Sequence, residues 1–469
     1  MLQFDSILFI IAFIVLLAQF VIFYFKLGLK MIAHPGTFFA LIWLFSTISQ
    51  YFLIKFDLAI IKDIDSINEL NIFVIFTSVF FSLWQLFYKY ESYSINKTFN
   101  FKINYNLYKK LLIVMLVGAI LQMLYTWYSI GVSSFNIAEI RDLNTSDKTN
   151  YFGTQADLLL SLIKYTQFFY PVLSIFSGYF LGLKYLSNQR LPFKDIFIYI
   201  PLIVALLYVL TSGGRNPLFI GIKLYAIGLF FTLPLVLPAV KRRWLLVRIA
   251  VLAITLSIFS TFVSDARSEF NNQDSFSSNF DNPILNSVSG LIEYMGAHYY
   301  GYQLRNVDTF DEAKLGYGYF TFNSLFDMKV PFATYIGFEK NIGNFFGYDV
   351  NPIDYFYLWE NDKEGYYTTN SIYLDLKLDF GYVGTILFLL FFTRYTHKLF
   401  LKTQNKDTIS IYVIFWYFMC FNFWAASNFN SFYADYMIEG LVMFFIFSRL
   451  FTKNISLNWK FNQRLQIQH

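Results

Sequence analysis

Hydrophobic residues in this chain come in long runs, and polar residues are confined to the gaps between them. A helix needs about 20 largely apolar residues to cross a bilayer. Runs of that kind occur near 6–25, 37–54, 70–88, 111–129, 158–183, 195–211, 217–238, 244–263, 371–393, 409–425 and 432–450. The pattern predicts an all-α polytopic integral membrane protein with about eleven or twelve transmembrane helices.

The longest interruption, 265–370, is too polar to lie in lipid. It holds fifteen acidic residues against six basic ones and is dense in Tyr, Phe and Gly, as in Gly316-Tyr-Gly-Tyr-Phe320. That composition predicts an ordered loop domain with turns rather than a disordered linker. The chain therefore divides into 1–264, a bundle of about eight helices; 265–370, one large loop domain outside the bilayer; and 371–469, about three more helices and a tail.

Composition agrees with this class. Of 469 residues 56% are hydrophobic and only 14% charged, which is outside the mix of a soluble globular protein. The net charge of +5 does not point to nucleic acid, because the bases sit in short clusters beside apolar runs. A single cysteine, Cys420, rules out an intramolecular disulfide and a sulfur-based metal site. The first apolar run lacks a basic n-region and a cleavage site, so it is expected to be retained.

The basic residues alternate from gap to gap. Lys26 and Lys30 follow the first run, Lys89, Lys97, Lys102, Lys109 and Lys110 the third, Lys184, Arg190 and Lys194 the fifth, and Lys241, Arg242 and Arg243 the seventh. Arg394, Lys398, Lys402 and Lys406 follow the ninth, and Arg449, Lys453, Lys460 and Arg464 the last. The other gaps are poor in bases or acidic, as in 55–69. By the positive-inside rule the N-terminus is outside and the C-terminus cytoplasmic, with 265–370 external.

Arginines on the external side run against this bias, and each needs its own reason. Arg215 lies in Thr211-Ser-Gly-Gly-Arg-Asn-Pro217, where two glycines and a helix start can present backbone N–H groups and a guanidinium to a phosphate or pyrophosphate. An arginine snorkelling from an ordinary tight turn explains the motif equally well. Arg267 follows directly on the eighth run, at interface depth. Arg141, in Ala138-Glu-Ile-Arg-Asp142, has a salt bridge to Glu139 or Asp142 as its plainer reading, and Arg305 fits a structural role in the loop. Lys223 follows Arg215 by two turns inside an apolar run, and intramembrane cations are functional candidates by default.

Glu293 and His298 are candidates for acid and base, in a segment that could be a helix along the membrane surface. At a separation of five they do not share a helical face. Asp265 and Glu269 are alternative bases. Asp375, Lys377 and Asp379 alternate just ahead of Phe380-Gly-Tyr-Val-Gly384, and Asp435 and Glu439 share a face; an interface network is the plain reading for these. The aromatic content of the loop suits sugar recognition, yet Phe and Tyr, at 59 and 36, are abundant everywhere. No metal-ligand cluster, phosphate-binding P-loop, dinucleotide fingerprint or serine nucleophile elbow is present in the sequence.

The layout, the turn Gly213-Gly-Arg-Asn216, the loop start Asp265-Ala-Arg267 and the segment Thr369 to Gly384 resemble the Wzy-type O-antigen or oligosaccharide repeat-unit polymerases. The resemblance implies a GT-C-like glycosyltransferase of the bacterial inner membrane, with its active site on the periplasmic face, needing no cofactor, metal or nucleotide sugar. It would move a growing glycan from undecaprenyl pyrophosphate onto the non-reducing end of a new lipid-linked repeat unit. The implied pyrophosphate ligands are Arg215 and Arg267, then Arg141, to which Lys223 is added by its place two turns after Arg215 and not by the resemblance; the implied partners are that lipid-linked oligosaccharide, the bilayer and a chain-length regulator protein. Competing readings are an O-antigen ligase with the same donor, a flippase for lipid-linked oligosaccharide, which would be expected to show internal repeats, and a scaffold or regulator of chain length.

Overall fold

The computed structural model describes residues 7–55, 63–88, 98–99, 105–129, 166–167, 169–186, 193–212, 216–236, 292, 296, 299, 301–303, 371–405, 408–409, 411–425 and 427. These are almost entirely helical. The helices are α1 (Ile7–Leu27), α2 (Pro35–Lys55), α3 (Ile64–Phe87), α4 (Tyr105–Ser129), α5 (Tyr170–Leu186), α6 (Ile200–Ser212), α7 (Asn216–Val236), α8 (Ile372–Asn405) and α9 (Ile411–Ala425), with 3₁₀ stretches at Gly28–Ala33 and Phe193–Tyr199. Each expected apolar run on described residues carries a helix; those at 244–263 and 432–450 lie outside them. Among the described residues, five helices are long and apolar enough to cross a membrane: Ile7–Leu27, Pro35–Lys55, Ile64–Phe87, Asn106–Tyr128 and Ile372–Thr403.

The helical state follows from the medium. In hydrocarbon every backbone N–H and C=O must be satisfied within the segment, which a helix of Leu, Ile, Phe and Val achieves. Its outward face is then as apolar as its inward one. On α1, Ile7, Ile10, Ile14, Leu17 and Val21 form an exposed stripe, whereas Phe9, Ala12, Leu16, Gln19 and Phe23 are buried. Gln19 is accommodated inside because its Nε2 donates to the Gly36 carbonyl at 2.8 Å.

Local signals set the ends. Asp63 caps α3 by accepting from the N–H groups of Asp65 and Ser66 at 3.1 and 3.0 Å. Pro35 opens α2 and Pro217 stands in the first turn of α7, where the missing N–H costs nothing. Inside α8, Gly381 has φ 65° and ψ −175°, a backbone conformation essentially confined to glycine, and it breaks the helix into 372–380 and 382–405.

Packing links α1 to α2 and α3, α3 to α8, α8 to α9, α4 to α6, and α7 to α5 and α6. The α5–α7 contact is the closest. A Cβ on Gly178 would lie 1.9 Å from the Tyr225 carbonyl, and one on Gly228 would lie 1.9 Å from that of Ile175, so both positions need glycine for the backbones to touch. The centre of the bundle is aromatic: Trp424 meets Phe39 and Phe81 edge-on at 5.6 and 4.9 Å.

The arrangement sorts charge by end. One end gathers Asp63, Asp65 and Glu69 at the start of α3 with Asp375 and Asp379 at the start of α8. The other gathers Lys26, Lys30, Lys109, Lys110, Arg394, Lys398 and Lys402. There a two-residue parallel pairing of β1 (Thr98–Phe99) with β2 (Thr408–Ile409) ties the α3–α4 connection to the α8–α9 connection.

Candidate functional site

At the acidic end a buried ion pair joins α3 to α8. Lys377 Nζ lies 2.8 and 2.9 Å from the two carboxylate oxygens of Glu69, with the lysine side chain 1% exposed and the glutamate 13%. Taking two charges out of water costs several kcal/mol per ion unless further hydrogen bonds complete the set. They do so here. Tyr382 donates to Glu69 Oε2 at 2.8 Å, Tyr302 donates to Oε1, and the Tyr382 ring sits 4.3 Å from the ammonium. Four donor contacts fill the carboxylate, so Glu69 acts as an anchor rather than an open base.

The same cluster docks part of the polar 265–370 region. Ile292, Gly296, Tyr299 and 301–303 are helical, and Tyr299, Tyr302 and Gln303 are fully buried. Tyr299 donates to Asn71 Oδ1 at 2.8 Å, shares a 3.2 Å hydrogen bond with Thr47, and stands edge-on to Trp43 at 6.1 Å. Gln303 Oε1 accepts the N–H of Asp63 at 3.2 Å. Gly296 rests on Leu53 and Gln50 of α2, with no room for a Cβ. The described residues of this stretch are helical, and their side chains are seated against α2 and α3. Burial, then the charge of Glu69, pushes the Tyr302 phenol well above the ordinary tyrosine range, and burial does the same to Tyr299. Both stay neutral donors.

Below the ion pair the contacts continue inward. Tyr373 donates to Thr77 Oγ1 at 2.9 Å and stacks on Phe73 at 5.8 Å, while Phe73 stacks on Tyr382 at 6.3 Å. Trp43 Nε1 donates to Ser427 Oγ at 2.9 Å. Lys377 was expected to belong to an interface network, and Glu69 is its partner.

At the opposite end, His34 and His397 meet between α2 and α8, Nε2 to Nδ1 at 3.1 Å. The Gly36 N–H donates to His34 Nδ1 at 2.9 Å, so the proton of His34 is on Nε2 and is donated to His397. A backbone donor thereby closes the chain of bonds, and the pair bridges helices rather than relaying protons. Phe23, Phe81 and Phe400 pack around His34 and Tyr88 against His397. Burial, and secondarily His397, holds the His34 pKa well below the usual histidine value.

Of the sequence-predicted site residues, Lys223 is described: it is half-buried on α7, and among the described residues it has no ion-pair or hydrogen-bond partner. Arg215 belongs to the three-residue connection between α6 and α7, and it lies outside the described residues, as do Arg141, Arg267, Glu293 and His298. Among the described residues no group of three or more His, Cys, Asp or Glu could hold a metal ion.

The sequence reading did not single out the Glu69–Lys377 cluster as a site, nor the histidine pair. The available signal was an acid and a base in the first turns of two helices that become apolar further on. Compared with protein-family models, with curated proteins and with solved structures, the chain matches none. The class that the fold defines is a helical membrane protein with a polar segment docked on one end.

Proposed function

We propose that this chain is a glycosyltransferase of the bacterial inner membrane, with about eleven spans. It joins undecaprenyl-pyrophosphate-linked oligosaccharide units into O-antigen or a related surface polysaccharide. The observation that carries the reading is the docking of Tyr299, Tyr302 and Gln303 onto Glu69, Lys377, Asn71 and Asp63. A polar region seated by buried, saturated hydrogen bonds is a rigid support for reacting groups, which transfer between two large lipid-linked substrates requires. A flippase would instead need that end free to open. The acidic end is the external face in this reading, in keeping with the bases at the other end.

The donor is already activated, so the protein must neutralise the departing pyrophosphate, orient an acceptor hydroxyl and accept its proton. Arg215 and Arg267, with Arg141, take the first role, and Lys223 adds a cation within a membrane helix that no acid among the described residues occupies. Glu293 and His298 are the acid and base candidates.

The test is the glycan ladder made in a host deleted for this gene and complemented with wild type, Arg215→Ala or Arg215→Lys, each checked for membrane insertion. The expected result is single-repeat glycan with Ala and poor rescue by Lys, because an ammonium cannot reproduce a bidentate guanidinium contact. Transfer of single repeats would also set aside the ligase reading. Full ladders from both variants would sink the assignment of Arg215.

A further inference from the structure

The second half of α8 ends in an unpaired basic stripe. Arg394, Lys398 and Lys402 are spaced four apart, so they share one helical face, and all three are exposed. The sequence from Phe380 to Asn405 contains no acid, and among the described residues none of the three has an ion-pair partner. Arg394 has its guanidinium carbon 5.4 Å from the Trp84 ring, an aromatic contact that holds the charge at the helix surface without neutralising it.

Length fixes where the stripe sits. Helix from Gly381 rises about 1.5 Å per residue, which puts Lys398 and Lys402 roughly 26 and 32 Å from the kink. The hydrocarbon core is about 30 Å thick. Lys398 and Lys402 therefore leave the apolar layer at headgroup depth, and Arg394, about 20 Å from the kink, lies deeper and reaches the headgroups by snorkelling, while Leu399 and Phe400 remain buried and Tyr395 is partly exposed on the same turns. The β1–β2 pairing brings the start of α4 to this end, adding Lys109 and the exposed Lys110.

We propose that this face of α8 is a seat for anionic phospholipid, with Arg394, Lys398 and Lys402 engaging headgroup phosphates in the leaflet at the basic end. Charge complementarity selects the occupant: aligned cations at headgroup depth, beside lipid-exposed Phe391 and Tyr395, face phosphate oxygens on one side and acyl chains on the other. The inference uses the membrane class alone and is independent of the reaction proposed above.

The experiment delipidates the purified full chain and titrates it with phosphatidylglycerol or phosphatidylcholine, counting retained lipids by native mass spectrometry. Wild type should prefer phosphatidylglycerol. The double variant Lys398→Gln, Lys402→Gln should lose roughly fivefold in that preference per charge, on the order of 25-fold in all, while Arg394→Lys, which conserves charge, should keep it. Equal melting of all three proteins in phosphatidylcholine checks the fold, and raising salt should erase the wild-type preference. Equal retention of the two lipids by wild type, or a double variant as selective as wild type, overturns the proposal, as would an acidic protein that co-purifies through these residues when no lipid preference exists.

Discussion

The two ends of the α1–α2–α3–α8 bundle bury polar groups in opposite ways. At the acidic end a full charge pair lies inside, Lys377 at 1% exposure against Glu69, and donors from Tyr302 and Tyr382 complete it. At the basic end Lys26, Arg394, Lys398 and Lys402 are exposed, and among the described residues the buried polar side chains are uncharged, His34 and His397 with Gln19, Gln85 and Thr403. The difference teaches what each end is for. A charge is worth burying where its partners arrive on separate pieces of chain, because the bonds then hold those pieces together. Where the pieces are joined by neutral groups, as by the His34–His397 pair and the β1–β2 pairing, the cations stay exposed and cost nothing to desolvate.

The comparison breaks most sharply at Lys377. Lys377→Met leaves the Glu69 carboxylate buried without its cation, and removing one member of a buried pair costs about 3–5 kcal/mol. The protein should melt well below wild type in mild detergent. Adding Glu69→Gln, which still accepts from Tyr302, should recover a large part of the loss; strictly additive losses would mean that the two residues do not act as a pair. Tyr302→Phe removes one bond to a charged acceptor and should cost about 1.5–3 kcal/mol. If it melts as wild type does, the docking of the 292–303 stretch rests on Tyr299 and Gln303 alone. At the kink, Gly381→Ala puts a Cβ on a residue held in a conformation essentially confined to glycine, for about 1–3 kcal/mol, measurable in the same melts; an unchanged midpoint would show that α8 straightens at no cost.

How far the sequence showed this is a matter of range. The helices were legible because unbroken apolar runs leave a chain in lipid no other way to satisfy its backbone, and α1, α2 and α3 fall within a few residues of the runs at 6–25, 37–54 and 70–88, α3 starting earlier through its capped first turn. The break at Gly381 was not read from the sequence, although the glycine stands where the helix turns wholly apolar. Nor were the partnerships. Glu69 and Lys377 are 308 positions apart, His34 and His397 363 apart, and nothing local to either member names the other. The acid-and-base arithmetic of 265–370 likewise did not show that Tyr299 and Tyr302 would be buried anchors, because it counts charge and their stretch carries little. Arg141, Arg215 and Arg267 came from charge placed against topology and from the family resemblance, Glu293 and His298 from composition alone, and the described residues include none of the five.

The smallest expected effect sharpens the contrast from the basic side. The unfolded chain takes up a proton at His34 near its ordinary pKa of about 6.5, whereas in the folded protein burial and the neighbouring His397 hold that pKa well below it. Between the two values the unfolded state binds more protons, so stability rises with pH there, is complete above about 6.5, and is lost as the pH falls through the window. Tyr88 is the other titratable group against the pair, and no acid among the groups packed on His34 offsets the effect. Melting wild type beside His34→Asn, whose side chain can still accept the Gly36 N–H, should show the wild type losing under about 1 kcal/mol at pH 6 and more at pH 5, with the variant flatter by one proton. Parallel curves would mean that His34 is solvated in the fold, and the picture of an end that encloses only neutral groups would fail with it.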